Sequence, residues 1–367
     1  MDVKIPSNVA AIQSYEPGET LSQLKKKFGW EKVAVLWNNE NTLGTSPKAV
    51  AAIKEVLGGL NFYPDPASTS LKKRIAHIHN RSLEQVIVGN GSESILMMAI
   101  KSMCEGEDEF LTSEGTFAIM YNWAKINKVR PVAVPLTDAY SFDLEAMKRR
   151  VNRNTKIIYL ANVNNPTGTM ITREELLDFI GAVPGHILII IDEAYIEYSK
   201  SLHSDFPDSL ELDYPNILTV RSMSKAYGIA GIRLGFAIGN EQIIKAMTKA
   251  KLTFEPSVLA QAAGIGALQD EDFVRASIDN NKKGMTYLMK EFERLGVRYI
   301  SGYGNFLMTT WGSEQMAVSM QENLMKKGVL VRMLGGNLAH CIRISIGNEH
   351  ENKWLIENLN ELMPLIN

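Results

Sequence analysis

At 367 residues the chain exceeds the length at which a single hydrophobic core usually stops growing, so two domains, or one large domain with a lobe, are expected. With 45% hydrophobic and 22% charged residues and a formal net charge of -2, the composition is that of a soluble globular protein and favours neither nucleic acid nor a membrane surface. The short basic clusters at Leu24–Phe28 and Met147–Arg153 sit beside acidic residues and read as solvated helix faces.

The N-terminus shows no basic flank followed by an apolar core, and no later run approaches the roughly 18 apolar residues of a membrane span. Cys104 and Cys341 are expected as free thiols, and the cytoplasm is the expected location. No metal-ligand cluster is expected.

In chain order, "NFYPDP" (Asn61–Pro66) reads as a turn in which Tyr63, ahead of a rigid proline, can project its hydroxyl at a phosphate. "EQVIVGNG" (Glu84–Gly91) is a strand candidate and "SESILMMAIKSM" (Ser92–Met103) has helical spacing. Where they meet, glycines permit close backbone approach and the N–H groups opening the helix favour an anion at Ser92 and Glu93. The Glu93 carboxylate opposes a phosphate there unless it points away. Phe117 opens the helical stretch Phe117–Asn127 and reads either as core or as a ring lying flat against a cofactor.

"TKIIYLANVNNPTG" (Thr155–Gly168) is a strand ending in a turn that carries Asn165, and Thr172–Val183 is a helix. "HILIIIDEAY" (His186–Tyr195) is a buried strand ending in Asp192, which either caps the next helix or pairs with a pyridine nitrogen, with Tyr195 three residues on. "NILTVRSMSK" (Asn216–Lys225) is a fourth strand, ending in a lysine among serines. A lysine in a crowded site loses hydration, and its amine becomes nucleophilic toward carbonyls. Ser222, Ser224 and Arg233 supply donors and a fixed positive charge beside it, which together make a phosphate cradle next to an amine. Pyridoxal phosphate requires that pairing, because it is held by its tail while its aldehyde exchanges partners.

Strands apolar on both faces, alternating with helices, predict an α/β fold with a mostly parallel sheet and chemistry at the strands' carboxyl ends. Beyond about residue 250 a long helix at 281–295 and the segments "GNFLMTTWG", "GVLVRML" and "CIRISIG" predict a smaller α+β lobe. Arg332 and Arg343 lie there among apolar residues, where a charge is costly without an anionic partner.

The order of "NNENTLGTSP", "FYPDP", "VGNGSES", "NNPTG", "IDEAYIEY", "SMSKAYGIAGIRLGF", "SVLAQAA", "VRML" and "IRISIG" along nearly the whole chain resembles the fold type I pyridoxal-phosphate aminotransferases. Within them it is most similar to the histidinol-phosphate aminotransferases. The resemblance implies a large domain with a mostly parallel seven-stranded sheet at 56–255, and a smaller α+β domain formed by an N-terminal segment, 1–55, and residues 256–367.

By the same resemblance, Lys225 holds the cofactor's aldehyde and shuttles the Cα proton, while Asp192, Tyr195 and Asn165 hold the pyridine nitrogen and phenolic oxygen. Ser92, Glu93, Ser222, Ser224 and Arg233 surround the phosphate, Phe117 stacks on the ring, and Tyr63 crosses to a neighbour's site in a homodimer. Arg343 takes a substrate α-carboxylate and Arg332 anchors an acidic or phosphorylated substrate. Histidinol phosphate or an aromatic amino acid as donor, with 2-oxoglutarate and glutamate, is the implied chemistry. A decarboxylase resembling the threonine-phosphate enzymes, or a cofactor-binding regulator, are the alternatives. Glu255, where relatives carry a different stretch, is expected near the mouth, where its charge would disfavour a phosphate monoester.

Overall fold

The computed structural model describes residues 3–12 and 18–365. The outermost limits of the first and last expected domains, at residues 1–2 and 366–367, lie outside the described residues. In chain order its strands are β1 (Ala34–Leu36), β2 (Val86–Gly89), β3 (Glu109–Ser113), β4 (Arg130–Val134), β5 (Thr155–Ala161) and β6 (Leu188–Asp192). They continue as β7 (Ile217–Ser222), β8 (Gly235–Gly239), β9 (Arg298–Ile300), β10 (Phe306–Thr310), β11 (Val329–Met333) and β12 (Cys341–Ser345).

Seven of these form one sheet in the order β2-β8-β7-β6-β5-β3-β4. It is parallel except for β8, which runs antiparallel to both β7 and β2. Every residue of β6 and β7 is buried, which explains why these strands appear as continuous apolar runs rather than alternating ones. Helices Gly91–Met103, Ile119–Ile126 and Arg173–Ala182 contribute to the same core as the strands. The sequence pattern anticipated β2, β5, β6 and β7. It did not single out β3, β4 or β8, whose "GFAIG" carries a glycine at each end.

The register of the central strands positions the site. Asp192 is the partner of Ala161 on one side and of Val220 on the other, so β5, β6 and β7 finish almost level. The chain then leaves all three at one edge, where Asn162 N donates to Asp192 O (2.9 Å) and Glu193 N to Val220 O (2.9 Å). Just behind this edge, buried Arg221 donates from Nε to Glu193 (3.0 Å) and from Nη2 to Asp208 (2.6 Å), tying the end of β7 to the segment after β6.

The second sheet has the order β1-β11-β12-β10-β9 and its own core, built with helices Glu271–Leu295, Glu314–Lys326 and Glu349–Leu362. The first of these helices begins ten residues before the expected 281. Strand β1 lies parallel to β11, so the N-terminal segment enters the smaller sheet. Helix Val258–Ala267 packs instead on helix Pro47–Val56 and shares a cluster with Leu71, Val86 and Phe236 on the β2–β8 side of the large sheet. The two helix backbones approach so closely that a Cβ on Gly266 would stand 2.4 Å from the Lys48 carbonyl oxygen. No described helix is long and apolar enough to cross a membrane.

Candidate active site

A cavity of about 340 Å³ opens along the carboxyl edge of the large sheet, from β2 across to β5. It adjoins a wider outer space of about 840 Å³ that reaches the smaller sheet. Lys225, three residues past the end of β7, borders both.

On the β2, β8 and β7 side the lining groups suit an anion. Helix Gly91–Met103 starts without a side-chain cap, leaving the first-turn N–H groups free, with the positive end of the helix dipole behind them. Gly91 has φ +79°, and a Cβ there would lie 2.6 Å from Arg233 Nη2. Only glycine lets that guanidinium sit against the helix start. Arg233 donates to the Ala230 carbonyl (3.2 Å) and makes no ion pair among the described residues. Ser222 and Ser224 are both buried here, and the Ser222 hydroxyl accepts from Ser224 N (3.2 Å). Glu93 lines the cavity, but its carboxylate accepts from Trp123 Nε1 (3.3 Å) on the neighbouring helix.

Toward β6 and β5 the groups are different. Asp192 is buried and accepts from Tyr159 Oη (3.0 Å) and from Ala194 N (3.2 Å). Burial pushes its carboxyl up to about 6, while those two donors and Lys225 oppose the rise. The buried Tyr195 hydroxyl accepts from Asn39 Nδ2 (3.0 Å), and its ring lies under the Lys225 ammonium at 5.6 Å. Asn165 Oδ1 accepts from Arg343 Nη1 (2.6 Å), and Arg343 Nη2 donates to the Trp37 carbonyl (2.6 Å).

Lys225 Nζ donates to the carbonyls of Asn38 and Asn39, both at 3.2 Å. Burial lowers its amine to about 7; the charges of Arg343 and Arg233 add to the fall, and Glu40 and Asp192 oppose it. Asn39 was not singled out from the sequence. Its φ of 55° and its contacts with Ser345, Asn305, Tyr195 and Lys225 make it the link between the smaller sheet and the cavity. The Asn-rich "NNEN" was the available signal.

The remaining expectations divide. Phe117 borders both spaces and packs against the large-sheet core. Arg343 and Arg332 are register partners on β12 and β11, and both line the outer space. Among the described residues, buried Arg343 has no carboxylate partner and an unpaired Nε, whereas Arg332 is exposed rather than enclosed among the apolar residues around it. Tyr63 is 79% exposed and stacks on Phe254 (centroids 4.2 Å apart), away from the cavity of its own chain.

Glu255 does not stand at the mouth. It is buried and lines neither space; its carboxylate accepts from Asn90 N (2.6 Å) and so fastens the turn that precedes the uncapped helix. A carboxylate satisfied by a backbone donor inside the protein exerts no direct selection on substrates, and the expected charge discrimination falls away.

The donor set fits one cofactor class: an amine of lowered basicity, a buried carboxylate, and an anion cradle of helix N–H groups, hydroxyls and arginine, on one sheet edge. The comparisons agree. The family model for aminotransferase class I and II matches residues 31–359, and the chain belongs to that family. It is a pyridoxal-phosphate-dependent aminotransferase of fold type I.

Among its relatives, histidinol-phosphate aminotransferase 2 of Hydrogenovibrio crunogenus is 34% identical over 98% of this chain and 96% of its own length. Histidinol-phosphate aminotransferase 1 of Nitrosococcus oceani is 35% identical over 97% and 96%. The crystal structure of histidinol-phosphate aminotransferase from Sinorhizobium meliloti with pyridoxal-5'-phosphate superposes with a TM-score of 0.90 at 27% identity, covering 99% of this chain and 98% of that one.

The electrostatics of Lys225 predict a chemical signature in the cofactor-free protein. Its amine should react with an acylating reagent with a midpoint near pH 7, while exposed lysines titrate near 10, as followed by peptide mass mapping. A midpoint for Lys225 above pH 9 would contradict the cavity's electrostatics.

Proposed function

We propose that the protein moves the amino group of histidinol phosphate to 2-oxoglutarate, forming glutamate. The observation that carries this reading is Arg343: a buried guanidinium without a carboxylate, beside Arg332, lining the same space as Lys225. A buried charge without a counter-ion is costly, and a substrate carboxylate or phosphate supplies one. The names of the relatives select histidinol phosphate among the amines such a site would accept.

When bound, pyridoxal phosphate supplies an aldehyde that condenses with amines and a ring that takes up the electron pair left at the substrate's Cα. The chain's own residues do the rest. Ser222, Ser224, Arg233, Phe117 and the backbone at Ser92 and Glu93 hold the phosphate and the ring. Asp192, ionised above about pH 6, keeps the pyridine nitrogen protonated. Tyr195, whose oxygen already accepts from Asn39, is left to donate its own proton to the phenolic oxygen. Asn165, with its carbonyl taken by Arg343, turns its amide N–H toward the same atom. Lys225, near neutrality in basicity, would take the proton from the substrate's Cα, pass it to the cofactor's aldehyde carbon, and reverse that transfer in the second half of the cycle.

The site is completed, on this reading, by a second copy of the chain. Tyr63, Phe62 (73% exposed), Leu60 and Leu252 are exposed around the stacked Tyr63–Phe254 pair. Lys251 Nζ and Gln261 Nε2 fasten this loop by donating to the Pro66 and Asp65 carbonyls (3.0 and 2.9 Å). An apolar patch of this kind suits a homodimer in which Tyr63 reaches the partner's phosphate. The two free cysteines suit a reducing, cytoplasmic setting.

Two measurements test these proposals. With histidinol phosphate and 2-oxoglutarate, glutamate should form, and Arg343→Lys should lower kcat/KM about 100-fold for both partners, because a point charge replaces a bidentate fork. Turnover with aromatic donors alone would overturn the choice of substrate. Light scattering should give a dimer; a fully active monomer would refute the shared site.

A further inference from the structure

The hydroxyl of Tyr159 has no role in packing. The residue sits in the middle of β5 with no exposed surface, its ring 6.2 Å from that of Phe110. A phenylalanine would fill that space without burying a polar atom, and an enclosed hydroxyl is costly unless it is hydrogen-bonded. The partner it finds is Asp192 Oδ2, at 3.0 Å, and the two side chains border the same cavity. The strand register places Tyr159 opposite Ile190, one strand repeat below Asp192, so the phenol reaches along the sheet to the carboxylate rather than across it.

We propose that Tyr159 is a positioning residue for the cofactor: its hydroxyl fixes the orientation of the Asp192 carboxylate and favours the ionised form that pairs with the pyridine nitrogen. This rests on the reading of Asp192 given above. Few other charged or titratable groups face that carboxylate. From the turn after β7 comes Lys225, whose charge also favours the ionised form; from the turn after β6 comes Tyr195, held by Asn39. Glu193, the next residue, is taken up by Arg221 and Ser209. Tyr159 is therefore the neutral donor of the set. Burial and the Asp192 charge keep its own proton in place at all working pH values, so it donates throughout.

The sign of its effect follows. A donor to the charged form lowers the carboxyl's affinity for protons, so its loss moves the Asp192 titration upward from about 6 toward neutrality. Cofactor affinity then weakens selectively on the acid side. Tyr159→Phe removes one oxygen and leaves the aromatic packing in place.

The test is the dissociation constant of pyridoxal phosphate, titrated by absorbance and fluorescence from about pH 5.5 to 8.5 for the wild type, Tyr159→Phe and Asp192→Asn. The ratio of the Tyr159→Phe constant to that of the wild type should be several-fold larger at the acid end than at the alkaline end, because the phosphate's own titration cancels in the ratio. A ratio that is the same at every pH, or no weakening at all, overturns the proposal. Asp192→Asn should weaken binding strongly and abolish the pH dependence specific to the carboxylate. Should Asp192→Asn bind as the wild type does, the assignment of Asp192 fails, and the proposal with it.

Discussion

Lys225 is taken out of water just past the end of β7, within reach of the charges of two arginines, and the rest of the site depends on that arrangement. Burial lowers the basicity of the amine to about 7, and Arg343 and Arg233 push in the same direction. Without the shift a lysine would be almost fully protonated at neutral pH and a poor nucleophile. The fold provides the opposing charge as well. Asp192 leaves the neighbouring strand β6, level with Val220 of β7, so the carboxylate and the amine enter one cavity from adjacent strand ends.

The two arginines also divide the cavity. Arg233 belongs to the end where the helix Gly91–Met103 opens uncapped, and Arg343 belongs to the end reached by the smaller sheet. Asn39 ties the smaller sheet to the lysine, because one residue in a left-handed conformation touches β12 through Ser345, the loop before β10 through Asn305, and both Tyr195 and Lys225. The N-terminal segment therefore couples the position of the smaller sheet to that of the lysine.

Much of this was legible in the sequence, for a physical reason. Strands buried on both faces give unbroken apolar runs, and the polar residues that close or follow them within a few positions, Asp192, Asn165 and Lys225 among them, fall at the edge where parallel sheets do their chemistry. What the sequence hid were contacts that depend on register and long-range packing. Tyr159 looks like any core aromatic until β5 and β6 are aligned. Asn39 meets Ser345 across 306 residues of chain. Glu255 shows the opposite error: a charge read as facing substrate proved to be an internal acceptor for Asn90 N, because nothing in its local sequence reveals which way a loop carboxylate turns.

The central claim is that one lysine, Lys225, holds the cofactor. Borohydride reduction of the pyridoxal-phosphate-loaded protein, followed by peptide mass mapping, tests it most directly. One cofactor-sized mass increment per chain is expected, on Lys225, and should be lost in Lys225→Ala. An increment on another lysine in the unmodified sequence, with Lys225 left free, would contradict it.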